Sequence, residues 1–584
     1  MKERLLFCTV FLLCAVVCAH ASGEYRTVQI ESLQITMDSE WAAQGAPGYM
    51  PVRFDITNLG DSRSIEIVGQ GNRWSPYGGE IGESSLRQTL RLNRGDRLRL
   101  TIPVPVFAEN ENFHFQIRER GRVLQAFNYF GFRSGMSPED SPVLIVADPA
   151  SAVGAMTTKW PREIRWKYYG SGVPPKMDFI LEPARLPENW LGFTSVRAVL
   201  IGPTEWEELS EVQKNALLTW TACGGDLIFA DGDLKALFHE TQNRPAGKWQ
   251  DKGAPERYFF GHIHFPKSTE VNYRGLTEIL AATRVVQNPS YALPANRAAD
   301  WGRIEEHGFR LPIPGVNAVP ARAYLAILIL FSVLIGPVNY LFLWRKRQQV
   351  LLVLTVPLIS GLFIAVLAGY AVAGEGFGIW GRAATFTVLD QATKQAATRA
   401  SVSLYAAGMA PAGGMRFPRD MAVYPIGTDG PANRQEQSLD LTDLQRFSAG
   451  IIQARSPSNF EEIGFRPARE RLSFTSDSDR VSVINGLGAT VTQLFYRAGG
   501  KIHTLGGPLR AGEKGILQTG PGNAPEVFFS PLLSPQKLHD VMNNQADGSY
   551  LAVLERSPFW EPGIPKLDER GSLHLVLGYA GGEP

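Results

Sequence analysis

The chain predicts a multidomain membrane-anchored protein: a β-sandwich, a doubly wound α/β unit, a two-helix transmembrane hairpin and a C-terminal β-rich sandwich. Three observations carry that prediction. Two long apolar runs near the middle, Ala323 to Trp344 and Val350 to Ala373, are separated only by Arg345-Lys346-Arg347-Gln348-Gln349. Apolar residues alternate with polar ones along both flanks, whereas short continuous apolar runs interrupt that pattern between about 141 and 300. The 584 residues also exceed what a single core organises.

The N-terminus reads as a secretory signal over residues 1–21. Lys2 and Arg4 precede an apolar stretch from Leu5 to Val17, and Ala19-His20-Ala21 is a small-x-small cleavage signature. A lipoprotein signal ending at Cys18 is the alternative, but Val16-Val17 is bulkier than the small residues usual before such a cysteine. Three of the 4 cysteines, Cys8, Cys14 and Cys18, fall in this segment. A mature chain beginning near Ser22 would keep only Cys223, so its stability must come from packing rather than an intrachain disulfide.

Residues 25–135 read as a β-sandwich. Val52-Phe54-Ile56, Ile65-Ile67, Leu98-Leu100-Ile102 and Phe113-Phe115-Ile117 alternate with period two, as half-buried strands do. Asn58-Leu59-Gly60-Asp61, Asn93-Arg94-Gly95-Asp96 and Arg120-Gly121 supply the turns between them.

Residues 141–300 change character. Val143 to Ala147, Arg197 to Ile201 and Asp226 to Ala230 are short apolar runs suited to parallel strands covered on both faces. Between the last two, Ser210 and Gln213 form a capping box, and Val212, Ala216, Leu217 and Trp220 form the expected buried stripe of a helix that Gly224-Gly225 ends. Strand, helix, strand in a right-handed crossover predicts a doubly wound sheet.

Leu186-Pro187-Glu188-Asn189-Trp190-Leu191-Gly192-Phe193, Val199-Leu200-Ile201 and Trp220 to Ile228 together resemble a class I glutamine amidotransferase-like domain. The resemblance is to the version found in uncharacterised bacterial membrane proteins. There the domain precedes a span similar to Gly336-Pro337-Val338-Asn339-Tyr340-Leu341, and a segment like Tyr550 to Leu554 with Ser557-Pro558-Phe559 follows. The resemblance covers most of the chain and implies a fold and a topology more than an activity. Amidotransferases need a nucleophilic cysteine on a tight turn after a strand, with a histidine as base. Here the corresponding strand runs into Asp231-Gly232-Asp233, and Cys223 falls at a helix C-terminus, where the dipole disfavours a thiolate. The domain is therefore expected to be catalytically degenerate, with no catalytic residue assigned.

Two weaker constellations remain. Asp148, Thr204, Asp231 and Asp233 fall at carboxyl ends of predicted strands, where open α/β sheets bind ligands and where carboxylates suit a hard cation. The same residues beside glycine and proline equally suit turns and helix caps. His262 and His264 lie two apart on a predicted strand, so both point to one face. Without an evident third ligand they read as partly exposed strand histidines, and neither a metal site nor a cofactor is predicted.

Residues 301–322 are proline-rich (Pro312, Pro314, Pro320) and read as a stiff linker lifting the α/β unit off the membrane. Residues 323–373 form the hairpin. Each run of roughly 22 residues covers about 33 Å as a helix, against a hydrocarbon core of about 30 Å. Gly336-Pro337 is expected to kink the first span, and Asn339 to sit at the membrane interface rather than bond across helices. Neither run contains Asp, Glu, Lys, Arg or His, so no proton or ion path is expected.

Residues 384–584 read as a second β-rich sandwich, with Pro431 to Leu444 as a solvated loop or short helix. A formal net charge of +1 without long charge blocks argues against nucleic acid as partner. The basic tip belongs in the cytoplasm. The expected location is thus the bacterial cytoplasmic (inner) membrane, with both large portions outside. The expected partners are the lipid bilayer and membrane or envelope proteins. The expected role is a non-enzymatic scaffold or binding component. The alternatives are a hydrolase or metal-dependent enzyme at the α/β unit, or an accessory subunit of a transporter.

Overall fold

The structure is a computed structural model. It describes residues 25–39, 41, 48–74, 80–106, 111–127, 130–131, 143–147, 178–233, 237, 256–267, 311–316, 321–375, 378–408, 411, 413–426, 437–477, 480–520 and 547–580. The expected signal, Asp148, and residues 268–310 and 317–320 lie outside that set.

The architecture is β-rich, with four sheets and two long apolar helices among the described residues. The N-terminal part is a sandwich. One sheet has four strands, in the order Tyr25–Ile30, Leu33–Asp38, Gly48–Asn58, Arg97–Val106. Leu33, Ile35, Phe54, Ile56 and Ile102 turn inward from it to meet Ile65, Ile67, Phe113, Phe115 and Ile117 of the facing sheet. Asn58 fastens the turn end, donating from Nδ2 to the carbonyls of Asp61 (2.9 Å) and Asn93 (3.0 Å).

That facing sheet is not completed by its own neighbourhood in sequence. It has eight strands, and beside Glu80–Leu92 lie Gln437–Asp440, Gln445–Ala449 and Met415–Phe417, which follow the helical hairpin in sequence. Gln437–Asp440 runs parallel to Glu80–Leu92, with Gln437 opposite Ser84 and Asp440 opposite Arg87. The solvated loop or helix expected over Pro431 to Leu444 is thus corrected for its second half, which is a strand leading into a turn. Leu439 and Leu441 are buried in the sandwich core, which a polar average over the segment conceals.

The middle region holds a six-stranded sheet. Its order is Asp178–Leu181, Val143–Val146, Ala198–Ile201, Asp226–Phe229, Gly261–His264, Glu256–Tyr258. All neighbours are parallel except the last pair. Each of the continuous apolar strands is buried along its whole length. The helix Glu211–Ala222 crosses between two of them with the expected capping box. Its buried stripe is Gln213, Ala216, Leu217 and Trp220; Val212 is corrected to an exposed position, 55% accessible in the first turn. Gln213 takes the inward place because its amide donates to the Pro183 and Leu186 carbonyls, both at 3.0 Å.

The other described C-terminal strands form one 12-stranded sheet. Its centre pairs Ile379–Asp390 with Gln395–Ala406 and with Leu573–Tyr579. Its distal strands curl back, so that Val481, Val483 and Leu517 share a core with Leu389, Tyr550, Ala552 and Val576. The opposite face, through Phe386, Leu575 and Leu577, shares a core with Phe259 and Phe260, the turn between Glu256–Tyr258 and Gly261–His264.

The hairpin's two apolar stretches, Leu325–Arg345 and Gln349–Gly369, are each 21 residues long, about 31 Å as helices. They are long and apolar enough to span a membrane, and their apolar side chains are largely exposed. Phe331 meets Phe363 with ring centroids 5.1 Å apart. Eight residues along each helix, Asn339 Nδ2 donates to Thr355 Oγ1 at 2.9 Å, as antiparallel packing requires. Asn339 is therefore corrected from an interfacial residue to one buried between the helices. Pro337 has no N–H to donate, and the ladder answers with a π-helical turn, Leu334–Val338, in which the Asn339 N–H reaches back to the Leu334 carbonyl.

Of residues 301–322, the structure describes 311–316 and 321–322. Leu311 and Ile313 are buried, Ile313 packs with Tyr405 and Ala407, and Arg382 Nη1 donates to the Pro312 carbonyl at 2.7 Å. This stretch is docked on the C-terminal sheet instead of extending freely.

Candidate functional site

Thr204 and the two described aspartates occupy ends of adjacent strands. Thr204 is exposed in the first turn of the short helix Pro203–Glu208, directly after Ala198–Ile201. Asp231 and Asp233 are exposed after Asp226–Phe229. Asp231 has φ +56°, and its N–H donates to the Pro266 carbonyl at 2.9 Å. The Asp233 carbonyl accepts from Leu237 N–H at 3.2 Å. Gly232 lies so close to the Phe229 ring that a Cβ would stand 2.0 Å from it. These positions serve the turn, and among the described residues no group of three His, Cys, Asp or Glu is placed to hold a metal ion.

Cys223 is the C-cap of Glu211–Ala222 and is fully buried. Burial pushes its thiol far above the ordinary range.

The histidine pair differs from expectation in burial and in company. His262 and His264 are both buried, and a carboxylate accompanies them: Asp226 Oδ1 lies 3.5 Å from His262 Nδ1 and 4.0 Å from His264 Nε2. Parallel register creates the cluster by setting Asp226 directly beside His262. Burial alone would raise the Asp226 carboxyl, but the two imidazoles hold it below its usual range. The sequence signal for Asp226 was a charged residue at the mouth of an otherwise apolar strand.

A larger polar assembly occupies the junction of the three β-containing regions, and sequence reasoning did not anticipate it. Its keystone is the resemblance segment itself. Trp190–Phe193 is a 3-10 turn capped by Asn189, whose side chain accepts from Leu191 N–H. Trp190 Nε1 donates to the Asp420 carbonyl at 2.6 Å. Thr194 Oγ1 accepts from Tyr49 N–H at 2.8 Å, and Trp41 Nε1 donates to Ser195 Oγ at 3.1 Å. Tyr49 Oη in turn accepts from Val423 N–H at 3.0 Å, so one tyrosine joins the first sandwich to the last sheet. Beside it, buried Arg399 and Glu461 pair at 2.6 Å, and Arg399 lies 5.9 Å from the Phe260 ring centroid.

The C-terminal sheet buries two more polar sets on its other face. Trp560 Nε1 donates to Glu462 Oε2 at 2.6 Å, and burial pushes the Glu462 carboxyl up to about 8. His574 sits between Thr385 Oγ1 (2.9 Å, Nδ1) and Glu569 Oε1 (2.7 Å, Nε2). Thr385 and His574 are fully buried, so this chain of bonds ties strands together without presenting a nucleophile to solvent.

No family model matches the chain, and no curated protein matches it. Among solved structures, a cycloisomaltooligosaccharide glucanotransferase of Paenibacillus sp. is similar at 10% identity over 36% of this chain and 28% of that one, with a TM-score of 0.17. A β-glucuronidase of Bacteroides uniformis is similar at 10% identity over 48% and 32%, with a TM-score of 0.12. A β-glucuronidase from glycoside hydrolase family 2 is similar at 8% identity over 93% and 61%, with a TM-score of 0.15. The chain spans less than two thirds of each of those proteins, and likenesses this slight carry no conclusion about fold or chemistry.

Proposed function

We propose that this chain is a non-enzymatic, membrane-anchored extracytoplasmic scaffold or binding component of an envelope complex. We further propose that it belongs with the bacterial membrane proteins whose α/β domain is a degenerate, amidotransferase-like one. The observation that carries the topology is the sheet shared across the hairpin: Gln437–Asp440, after the hairpin, is hydrogen-bonded alongside Glu80–Leu92, before it. A sheet cannot be hydrogen-bonded through a bilayer, so spanning helices must leave and re-enter on the same face. The basic tip, Arg345-Lys346-Arg347, supports a cytoplasmic turn and hence an outer location for the body. The parallel strand order, with its reversal beside Val143–Val146, supports a doubly wound domain. The scaffold role is supported by the use of Trp190, Thr194, Tyr49, Arg399 and Glu461 to bind the regions together.

Alkaline phosphatase fused after Gly374 or Pro584 is expected to be active, and fused at Gln348 inactive; the reverse pattern overturns the topology. Capture of the tagged full chain in mild detergent should bring down defined envelope proteins in constant ratio, and a chain recovered alone speaks against the scaffold role.

A further inference from the structure

Both roots of the hairpin are fastened to the body at a single point. Ile313, ahead of the first helix, packs with Tyr405 and Ala407, and Val316 and Trp380 pack against them. Trp380 belongs to the strand Ile379–Asp390, which follows the second helix. Arg382 binds the two roots further, donating from Nη1 to the Pro312 carbonyl (2.7 Å) and from Nε to the Gly571 carbonyl (2.8 Å). The steps from this clamp to the helices are short. Val316 precedes Ala321 by five residues and Glu375 precedes Ile379 by four, reaches of at most about 18 Å and about 14 Å.

A clamp this close to two spanning helices holds that end of the body towards the bilayer. The residues around it have the chemistry of the membrane interface. Arg570 lies 3.9 Å from the Trp380 ring centroid, an amphipathic cation–π pair, and is bonded to Asp568 at 2.6 Å. Arg455, whose N–H donates to the Ala406 carbonyl, and Lys566, next to the Leu567 side chain that packs over Gly381, are exposed at the same end. We propose that this rim, with Trp380, Arg382, Arg455, Lys566 and Arg570, rests in the phospholipid headgroup layer. The body is then held face-down on the membrane, and Ile379–Asp390 runs away from the surface. The inference rests on the two helices spanning the membrane, and its occupant is the lipid phosphate surface, which the rim's cations and indole suit.

The test uses the full chain with Cys8, Cys14, Cys18 and Cys223 all replaced by serine, reconstituted into vesicles of phosphatidylcholine and phosphatidylglycerol containing a headgroup-spin-labelled lipid. Single cysteines introduced by Arg455→Cys, Lys566→Cys and Lys394→Cys carry a fluorophore. All three sites are exposed with positive φ (+59°, +80° and +56°), so the backbone cost of each change is matched. Lys394 lies beyond the far end of the 12-residue strand, about 36 Å along it from the rim. Fluorophores at 455 and 566 should be quenched severalfold more than the one at 394. Equal quenching at all three, in protein that resists carbonate extraction, overturns the face-down placement alone. Extraction by carbonate overturns the membrane-spanning reading and the placement together.

Discussion

Glu462 shows what burial does to a single group. Its carboxyl accepts one bond from Trp560 and is otherwise enclosed, and desolvation lifts it to about 8 from an ordinary 4.5. The folded state therefore holds the proton at neutral pH while the unfolded chain does not. The stability this group contributes is complete below pH 4.5 and is lost as pH rises through 8. Between pH 4.5 and pH 7 the loss is about 3 kcal/mol. Glu462→Gln copies the neutral acid without a proton to lose, so its thermal midpoint in detergent should gain on the natural chain as pH rises from 5 to 8. A difference that does not change with pH would falsify the buried, neutral assignment. Cys223 makes a second forecast at this scale. Complete burial means that Cys223→Ser sets a hydroxyl where a small apolar group sat, at a cost of about 1–3 kcal/mol. Function should persist once the variant's lower abundance is corrected for, and loss of function at normal abundance would restore a catalytic role for the thiol.

Among elements, the helix Glu211–Ala222 is the one whose ends and composition were most legible in sequence. Ser210 Oγ accepts from Gln213 N–H at 3.3 Å and Gln213 Oε1 accepts from Ser210 N–H at 3.0 Å, as the Ser-x-x-Gln spacing predicts. Ser210→Ala should cost about 1 kcal/mol, read as a lowered thermal midpoint with membrane insertion unchanged. An unaltered midpoint would mean that tertiary packing alone holds the first turn. What the spacing could not tell was which side chain of that turn faces inward. Val212 is the more hydrophobic, yet Gln213 is buried because two carbonyls wait for its amide. In the hairpin, likewise, Asn339 is buried because Thr355 stands opposite it, a fact about a neighbouring helix that no window on one helix contains.

At the scale of the whole molecule, the first sandwich depends on strands that arrive some three hundred residues later. Residues 22–135 expressed alone lack Met415–Phe417, Gln437–Asp440 and Gln445–Ala449. They would expose the Glu80–Leu92 edge together with the apolar surface that Leu439, Leu441 and Phe447 cover. That fragment should be poorly soluble or lack dispersed amide resonances, and adding a segment spanning 411–450 should improve it. A well-folded, monomeric fragment would show that the shared sheet is dispensable. The same dependence ties the two flanks of the hairpin together through one sheet.

Local pattern by itself determined the elements: period-two alternation marked the half-buried strands, continuous apolar runs the parallel ones, and unbroken apolarity the two long helices. Each rests on side chains within one segment, so a linear string carries it. Tertiary structure alone decided which segments share a sheet, because strand pairing depends on backbone groups that are the same in every residue. It decided that Asp226 stands beside His262 and His264, which requires the register of two strands far apart in the chain. It decided, too, that Pro312 and its neighbours dock instead of spacing. The proline composition there sets stiffness, but only the partner surface sets where a stiff segment lies.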